Sequence, residues 1–296
     1  MRWKKGRGRD QIEDRRGEAG PAGSGGLGGI RLPLPSGGAG LGGGLLVVII
    51  LIVLFATGVL GGGGGTDTNP GTNGAVRRVP GAPDPDAELA DFVGFVVDDV
   101  QTFWQEDFAN SGRTYQITKL VLFDGQTESG CGLASSETGP FYCPVDRKVF
   151  LDLGFFQELR DRFQAPGDFA EAYVIAHEFG HHVQLLLGTE ERVRQEQQDH
   201  PSEANELSVR LELQADCYAG VWAQSAYEQN LLESGDMEEG LKAAAAVGDD
   251  RIQRSAGQRV DPETWTHGSA AQRVQWLRAG FADGDPRDCD TFSASI

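Results

Sequence analysis

The run His177-Glu178-Phe179-Gly180-His181 has the residue types and spacing that metal-assisted hydrolysis needs. On a helix the two histidines, four residues apart, lie on one face, where neutral ring nitrogens can hold one tetrahedral metal ion. Zinc (Zn2+) is the expected cofactor. Glu178 sits about 100° round the helix from His177, so its carboxylate can reach a water on the metal without displacing it. Zinc brings the pKa of such a water to about 7, within reach of a neighbouring base. Two ligands do not suffice, since catalytic zinc usually takes three protein groups and one open position. Glu212, in Glu212-Leu213-Gln214-Ala215-Asp216, is the expected third. Asp216, one turn further, is expected to accept the other ring N–H of a ligand histidine and fix its tautomer.

His267, in Thr266-His267-Gly268-Ser269, is expected to join Glu178 in catalysis by hydrogen-bonding the oxyanion of a tetrahedral intermediate. The alternative for it is a loop histidine beside a Ser269 N-cap, with Arg273 in the helix that follows. His182 should face away from the metal and pack, and His200, beside Pro201, should be exposed. Asp249 and Asp250 could bind a second cation, but adjacent acids usually cap a helix or face water, and no role is assigned to them.

Helical periodicity supplies elements to position these groups. Asp168 and Glu171 form a capping-box pattern that opens a helix ending at Gly188, which carries both histidines. A second long helix over 203–229 carries Glu212 and Asp216, and further helices are expected over 84–108, 155–163, 237–254 and 269–280. Residues 114–123 (TYQITKLVLF) and 148–153 (KVFLDL) are rich in β-branched and apolar residues and predict two strands. They are expected to form a small antiparallel sheet, one of whose strands could offer an edge to an extended substrate. The fold class predicted is α+β, a mostly helical domain over 84–296.

Ahead of that domain the composition changes. Residues 1–43 are glycine-rich and basic and are expected to be disordered. Residues 44–61 contain the charge-free run LLVVIILIVLFATGVL, which approaches the roughly 20 residues a transmembrane helix needs. Residues 62–83 have the composition of a flexible tether. Arg2, Lys4, Lys5, Arg7 and further basic residues precede the apolar run, and the next ones after it are Arg77 and Arg78. The positive-inside rule then predicts a single-pass protein with its N-terminus in the cytoplasm and the catalytic domain outside. A cleaved signal peptide is the competing reading, disfavoured by the long basic region and the lack of an A-x-A site. The net charge of -18 would repel phosphate backbones and argues against nucleic-acid partners. Four cysteines without a CxxC pair disfavour a thiolate zinc site. Cys131 with Cys143 and Cys217 with Cys289 are the first-guess disulfides, with free buried thiols as the alternative.

The stretches Gly139-Pro140-Phe141-Tyr142-Cys143-Pro144, HEFGHHVQ at 177–184, LELQADCYAG at 211–220, GDDR at 248–251 and THGSAAQR at 266–273 together resemble the bacterial neutral zinc metallopeptidases. The resemblance covers most of residues 90–282. It implies a zincin-like zinc-peptidase domain with a glutamate as third ligand and a single N-terminal membrane helix, placed in the bacterial cytoplasmic membrane. The resemblance does not extend to which substrate is cut; the expected substrate is a peptide or protein, with endopeptidase favoured over exopeptidase activity. The rival readings are a membrane-tethered zinc-binding scaffold without catalysis and a zinc amidase acting on cell-wall bonds.

Overall fold

A computed structural model describes residues 1–18 and 83–296. Helix α1 (Ala87–Asn110) buries Phe92, Val93, Val96, Val100 and Trp104, the apolar positions of its periodic face. Six strands follow the chain as β1 (Ile12–Asp14), β2 (Leu120–Phe123), β3 (Gln126–Ser129), β4 (Gly132–Ser135), β5 (Phe141–Cys143) and β6 (Lys148–Asp152). The remaining helices are α2 (Gly154–Asp161), α3 (Asp168–Leu187), α4 (Thr189–Asp199), α5 (Ala204–Glu228), α6 (Asp236–Ala246), α7 (Asp249–Ser255) and α8 (Ala270–Asp283). The described residues are thus mostly helical with two small sheets.

The expected sheet is corrected. The predicted strands 114–123 and 148–153 are β2 and β6, and they run parallel, with Leu120 opposite Val149 and Phe123 opposite Asp152. Between them the chain makes the β3–β4 hairpin and then β5, which turns tightly into β6 and pairs with it antiparallel. That hairpin turn spends the reversal of direction, so β6 returns alongside β2 in the same sense. The sheet order β1-β2-β6-β5 leaves β2 and β6 interior. The edge available to an extended peptide is therefore not on either predicted strand.

The first 18 residues are folded, against the expectation of disorder over 1–43. Ile12–Asp14 adds a parallel strand beside β2, and Trp3 packs edge-on against Phe92 with ring centroids 5.6 Å apart. The Met1 ammonium pairs with Asp168 at 2.8 Å and Asp236 at 3.2 Å. These attachments are ion pairs and strand backbone, which low apolar content does not register. They also correct the predicted topology, because a segment packed on the catalytic domain cannot lie across a bilayer from it. Among the described residues no helix is long and apolar enough to cross a membrane. The single-pass placement is therefore not supported, and the predicted span 44–61 and all but the last residue of the linker 62–83 lie outside the described residues.

Two helix crossings set the geometry of the interior. A Cβ at Gly180 would stand 3.1 Å from both Cα and O of Ala215, so α3 and α5 meet almost backbone to backbone. A Cβ at Gly280 would stand 1.9 Å from the Cys217 carbonyl oxygen, so α8 approaches α5 more closely still. Only glycine permits the Gly280 contact, and at Gly180 a side chain would force Ala215 to give by a few tenths of an ångström. Around these crossings Phe169, Phe179, Leu213 and Trp222 are fully buried, each contributing about 1.5–3 kcal/mol relative to exposure.

Local differences from prediction have local causes. Gly167, not Asp168, occupies the N-cap of α3 without a side-chain cap, and the Asp168 carboxylate is engaged by Met1 instead. The single helix predicted over 237–254 is two, α6 and α7, broken at an extended Gly248. Helix α4 was not predicted, since TEERVRQEQQD buries only Thr189 and Val193 and carries little apolar period. Disulfides join Cys131 to Cys143 and Cys217 to Cys289, the first-guess pairings, and leave no free cysteine.

Candidate metal centre

Helix α3 projects His177 and His181 from one face toward α5, with ring centroids 4.9 Å apart. From α5, Glu212 meets both rings: His177 Nε2 lies 3.2 Å from Glu212 Oε2, and His181 Nε2 lies 3.6 Å from Glu212 Oε1. His177 and Glu212 are buried and His181 is partly exposed. The close approach at Gly180, one residue before His181, brings the carboxylate within reach.

The far nitrogen of each ring is engaged. His177 Nδ1 lies 2.9 Å from Asp216 Oδ1, the pairing anticipated for Asp216. His181 Nδ1 lies 2.9 Å from Gln184 Oε1. Asp216 is fully buried and receives far more than a histidine. Arg273, from α8, donates to it through Nε at 2.8 Å and Nη2 at 2.9 Å, and the Tyr173 hydroxyl donates to it as well. Burial acts to raise the Asp216 carboxyl, but Arg273 and His177 hold it below its ordinary value.

The donor set fits zinc. Each Nδ1 faces an oxygen, of Asp216 or of Gln184, and neutral rings protonated there would direct Nε2 lone pairs at a carboxylate, an arrangement that requires a cation between them. A proton meets that need at His177, whose ring is pushed up to about 10: burial would lower it, but Asp216 and Glu212 prevail. Glu212 is held well below the usual carboxylate range despite burial, mainly by His181 and His177. A zinc ion meets the need of all three donors together. Zinc–ligand lengths of about 2.0–2.2 Å imply about 3.3–3.6 Å between neighbouring donors of a tetrahedron, close to the 3.2 Å from His177 Nε2 to Glu212 Oε2 and the 3.6 Å from His181 Nε2 to Glu212 Oε1.

Glu178 follows His177 and is 8% exposed. Burial pushes its carboxyl above its ordinary value, against His177, His181 and the backbone N–H of Tyr142 on β5. His267 precedes α8, and its Nδ1 lies 3.3 Å from Asp249 Oδ1. Asp249 also accepts the backbone N–H groups of Thr266, His267 and Gly268 at 2.8, 2.7 and 3.0 Å. Burial lowers the His267 ring, but Asp249 and then Glu212 raise it overall, which puts His267 electrostatically in the same site.

His182 turns away, as expected. Its ring bridges the Tyr142 hydroxyl at 2.8 Å and the Gln116 carbonyl at 2.7 Å, and burial pushes it down to about 4. His200 is exposed. A second acidic group, Asp168 with Asp236 and Glu239, has metal-like proximity, but the Met1 ammonium already pairs with two of its members. Sequence reasoning left Tyr173, Gln184, Asp249 and Arg273 without a role. Tyr173 and Gln184 stand at i−4 from His177 and i+3 from His181, so helical spacing could have offered them. Asp249 and Arg273 reach the site across loops and carry no such signal.

A family model described as "Putative neutral zinc metallopeptidase" matches residues 1–292. The chain is 46% identical over 297 residues to the "Uncharacterized protein YpfJ" of Escherichia coli (strain K12), covering 100% of both chains. It is 52% identical over 192 residues to the "Uncharacterized protein Rv2575" of Mycobacterium tuberculosis, covering 61% of this chain and 64% of that one. No solved structure matches the chain. With a match that spans nearly its whole length, the chain belongs to this neutral zinc metallopeptidase family, whose cofactor is zinc.

Proposed function

We propose that the chain is an endopeptidase that hydrolyses internal peptide bonds, with His177, His181 and Glu212 as zinc ligands and Glu178 as general base. The observation that carries the reading is the convergence of two imidazole Nε2 atoms on Glu212 at 3.2 and 3.6 Å, each ring held from behind through Nδ1. Zinc bound by that set supplies Lewis acidity toward the scissile carbonyl and toward the attacking water.

The chain's own residues then divide the remaining work. Glu178 takes the proton of the attacking water and passes it to the leaving nitrogen, a role suited to a carboxyl that burial raises above its ordinary value. Asp216, itself held by Arg273, keeps the His177 proton on Nδ1. His267, with Nδ1 turned to Asp249, offers Nε2–H to the oxyanion. Strand β5 is an outer strand of its sheet and carries Tyr142 beside Glu178. An extended chain pairing along it would run past the site in both directions, which favours internal cleavage.

Glu178→Gln is expected to retain one zinc per chain, measured by metal analysis, and to lose hydrolysis of casein. Full activity in that variant would remove Glu178 from the mechanism. An inactive wild-type chain with stoichiometric zinc would count against the peptidase reading itself.

A further inference from the structure

His177 has a carboxylate behind it, but His181 has only the Gln184 amide, which can present either an acceptor or a donor. What selects between them lies further back. Gln184 is fully buried, and its NH2 donates to the Leu211 carbonyl at 2.7 Å and to Gln214 Oε1 at 3.2 Å. Gln214, also buried, donates its own NH2 to the Cys289 carbonyl at 2.9 Å. Cys289 is tied by its disulfide to Cys217 on α5.

Carbonyl oxygens only accept, so this chain of bonds has one self-consistent direction. The Cys289 carbonyl takes the Gln214 NH2, which turns Gln214 Oε1 toward Gln184. Leu211 and Gln214 together take the Gln184 NH2, which leaves Gln184 Oε1 facing His181. The proton of that ring must then sit on Nδ1, and its Nε2 lone pair faces Glu212. Flipping either amide would set donor against donor or acceptor against acceptor in a buried place.

We propose that Gln184 and Gln214 are positioning residues that transmit the polarity of the Cys289 carbonyl to His181 and hold it as the Nδ1–H tautomer, the form that offers Nε2 to zinc. The inference rests on the reading of His181 as a zinc ligand. It predicts a metal affinity that depends on two uncharged residues, one of which does not touch a ligand.

The test uses the full chain and two measurements: zinc affinity by competition with a chromophoric chelator, and the His181 tautomer by nitrogen-edited NMR of zinc-free protein at a pH where the ring is neutral. Gln184→Leu is expected to lose about 10–100-fold in zinc affinity and the preference for Nδ1–H. Gln184→Glu should recover most of both, because a protonated carboxyl can donate to Gln214 and accept from His181. Gln214→Leu should lose less, since Leu211 still holds Gln184. Wild-type affinity and an unchanged tautomer in Gln184→Leu would overturn the proposal. Should that variant not fold, the wild type still decides, because a zinc-free His181 found mainly as Nε2–H overturns the relay. A wild-type chain that binds no zinc would instead sink the ligand assignment, with the tautomer left to judge the relay separately.

Discussion

Replacing Arg273 with methionine removes the charge that keeps Asp216 ionised in the interior. Asp216 is fully buried, and Arg273 meets it through two bonds of 2.8 and 2.9 Å while being 3% exposed itself. Methionine preserves much of the stem volume but leaves a buried carboxylate with only His177 and the Tyr173 hydroxyl. Removing one partner of a buried pair costs about 3–5 kcal/mol. In a domain of this size, each kcal/mol moves Tm by about 2–4 °C, so the expected fall is about 6–20 °C. A weakened hold on His177 Nδ1 should also lower zinc affinity by about 10–100-fold. The assay is thermal unfolding of zinc-free and zinc-loaded protein for Arg273→Met, Asp216→Asn and the double variant, with chelator competition alongside. The double variant should lose less than the sum of the singles, with a coupling of about 1–3 kcal/mol. Arg273→Lys should lose part of the stability, because a point charge cannot reproduce two parallel bonds. The reasoning is refuted if Arg273→Met melts within about 2 °C of the wild type, below 1 kcal/mol on the same scale, with unchanged zinc affinity.

The other expectations concern pH and the oxyanion. The Glu171 carboxyl on α3 is pushed up to about 7 from 4.5, first by burial and then by Asp168 and Glu239, against Arg160. The folded state therefore holds an extra proton between those pH values, so stability falls as pH rises from about 4.5 to about 7 and levels off above. After discounting for partial exposure, Glu171→Gln should gain about 1–2 kcal/mol over the wild type at pH 8 and little at pH 4. Equal Tm differences at the two pH values would contradict this. His267→Ala should keep its zinc and lose about 10²–10³ in kcat, and Asp249→Asn should lose part of that. An unchanged kcat in His267→Ala would show that His267 only packs.

The metal-ligand candidates were legible because each is a local pattern. His177 and His181 share a face by helical periodicity, and Glu212 and Asp216 stand one turn apart by the same rule, so types and spacing carry the information. The partners that hold them were less legible. Gln184 has no charge to draw attention, and Arg273 reaches Asp216 only because α8 crosses α5 where Gly280 lets the backbones touch.

The N-terminal segment shows the opposite limit. Composition over 1–43 predicts disorder, yet Met1, Trp3 and Ile12–Asp14 find ion-pair, aromatic and strand partners far along the chain. Sheet direction failed for a related reason, since β-propensity marks a strand but not its neighbour. What the sequence determined by itself was therefore the chemistry of the helix faces, which depends on residues three or four apart. What only the tertiary structure decided was which distant groups complete them, namely Arg273 for Asp216, Asp249 for His267 and β1 for β2. Those pairings arise from backbone approach and burial across long stretches of chain, and no short-range periodicity records them.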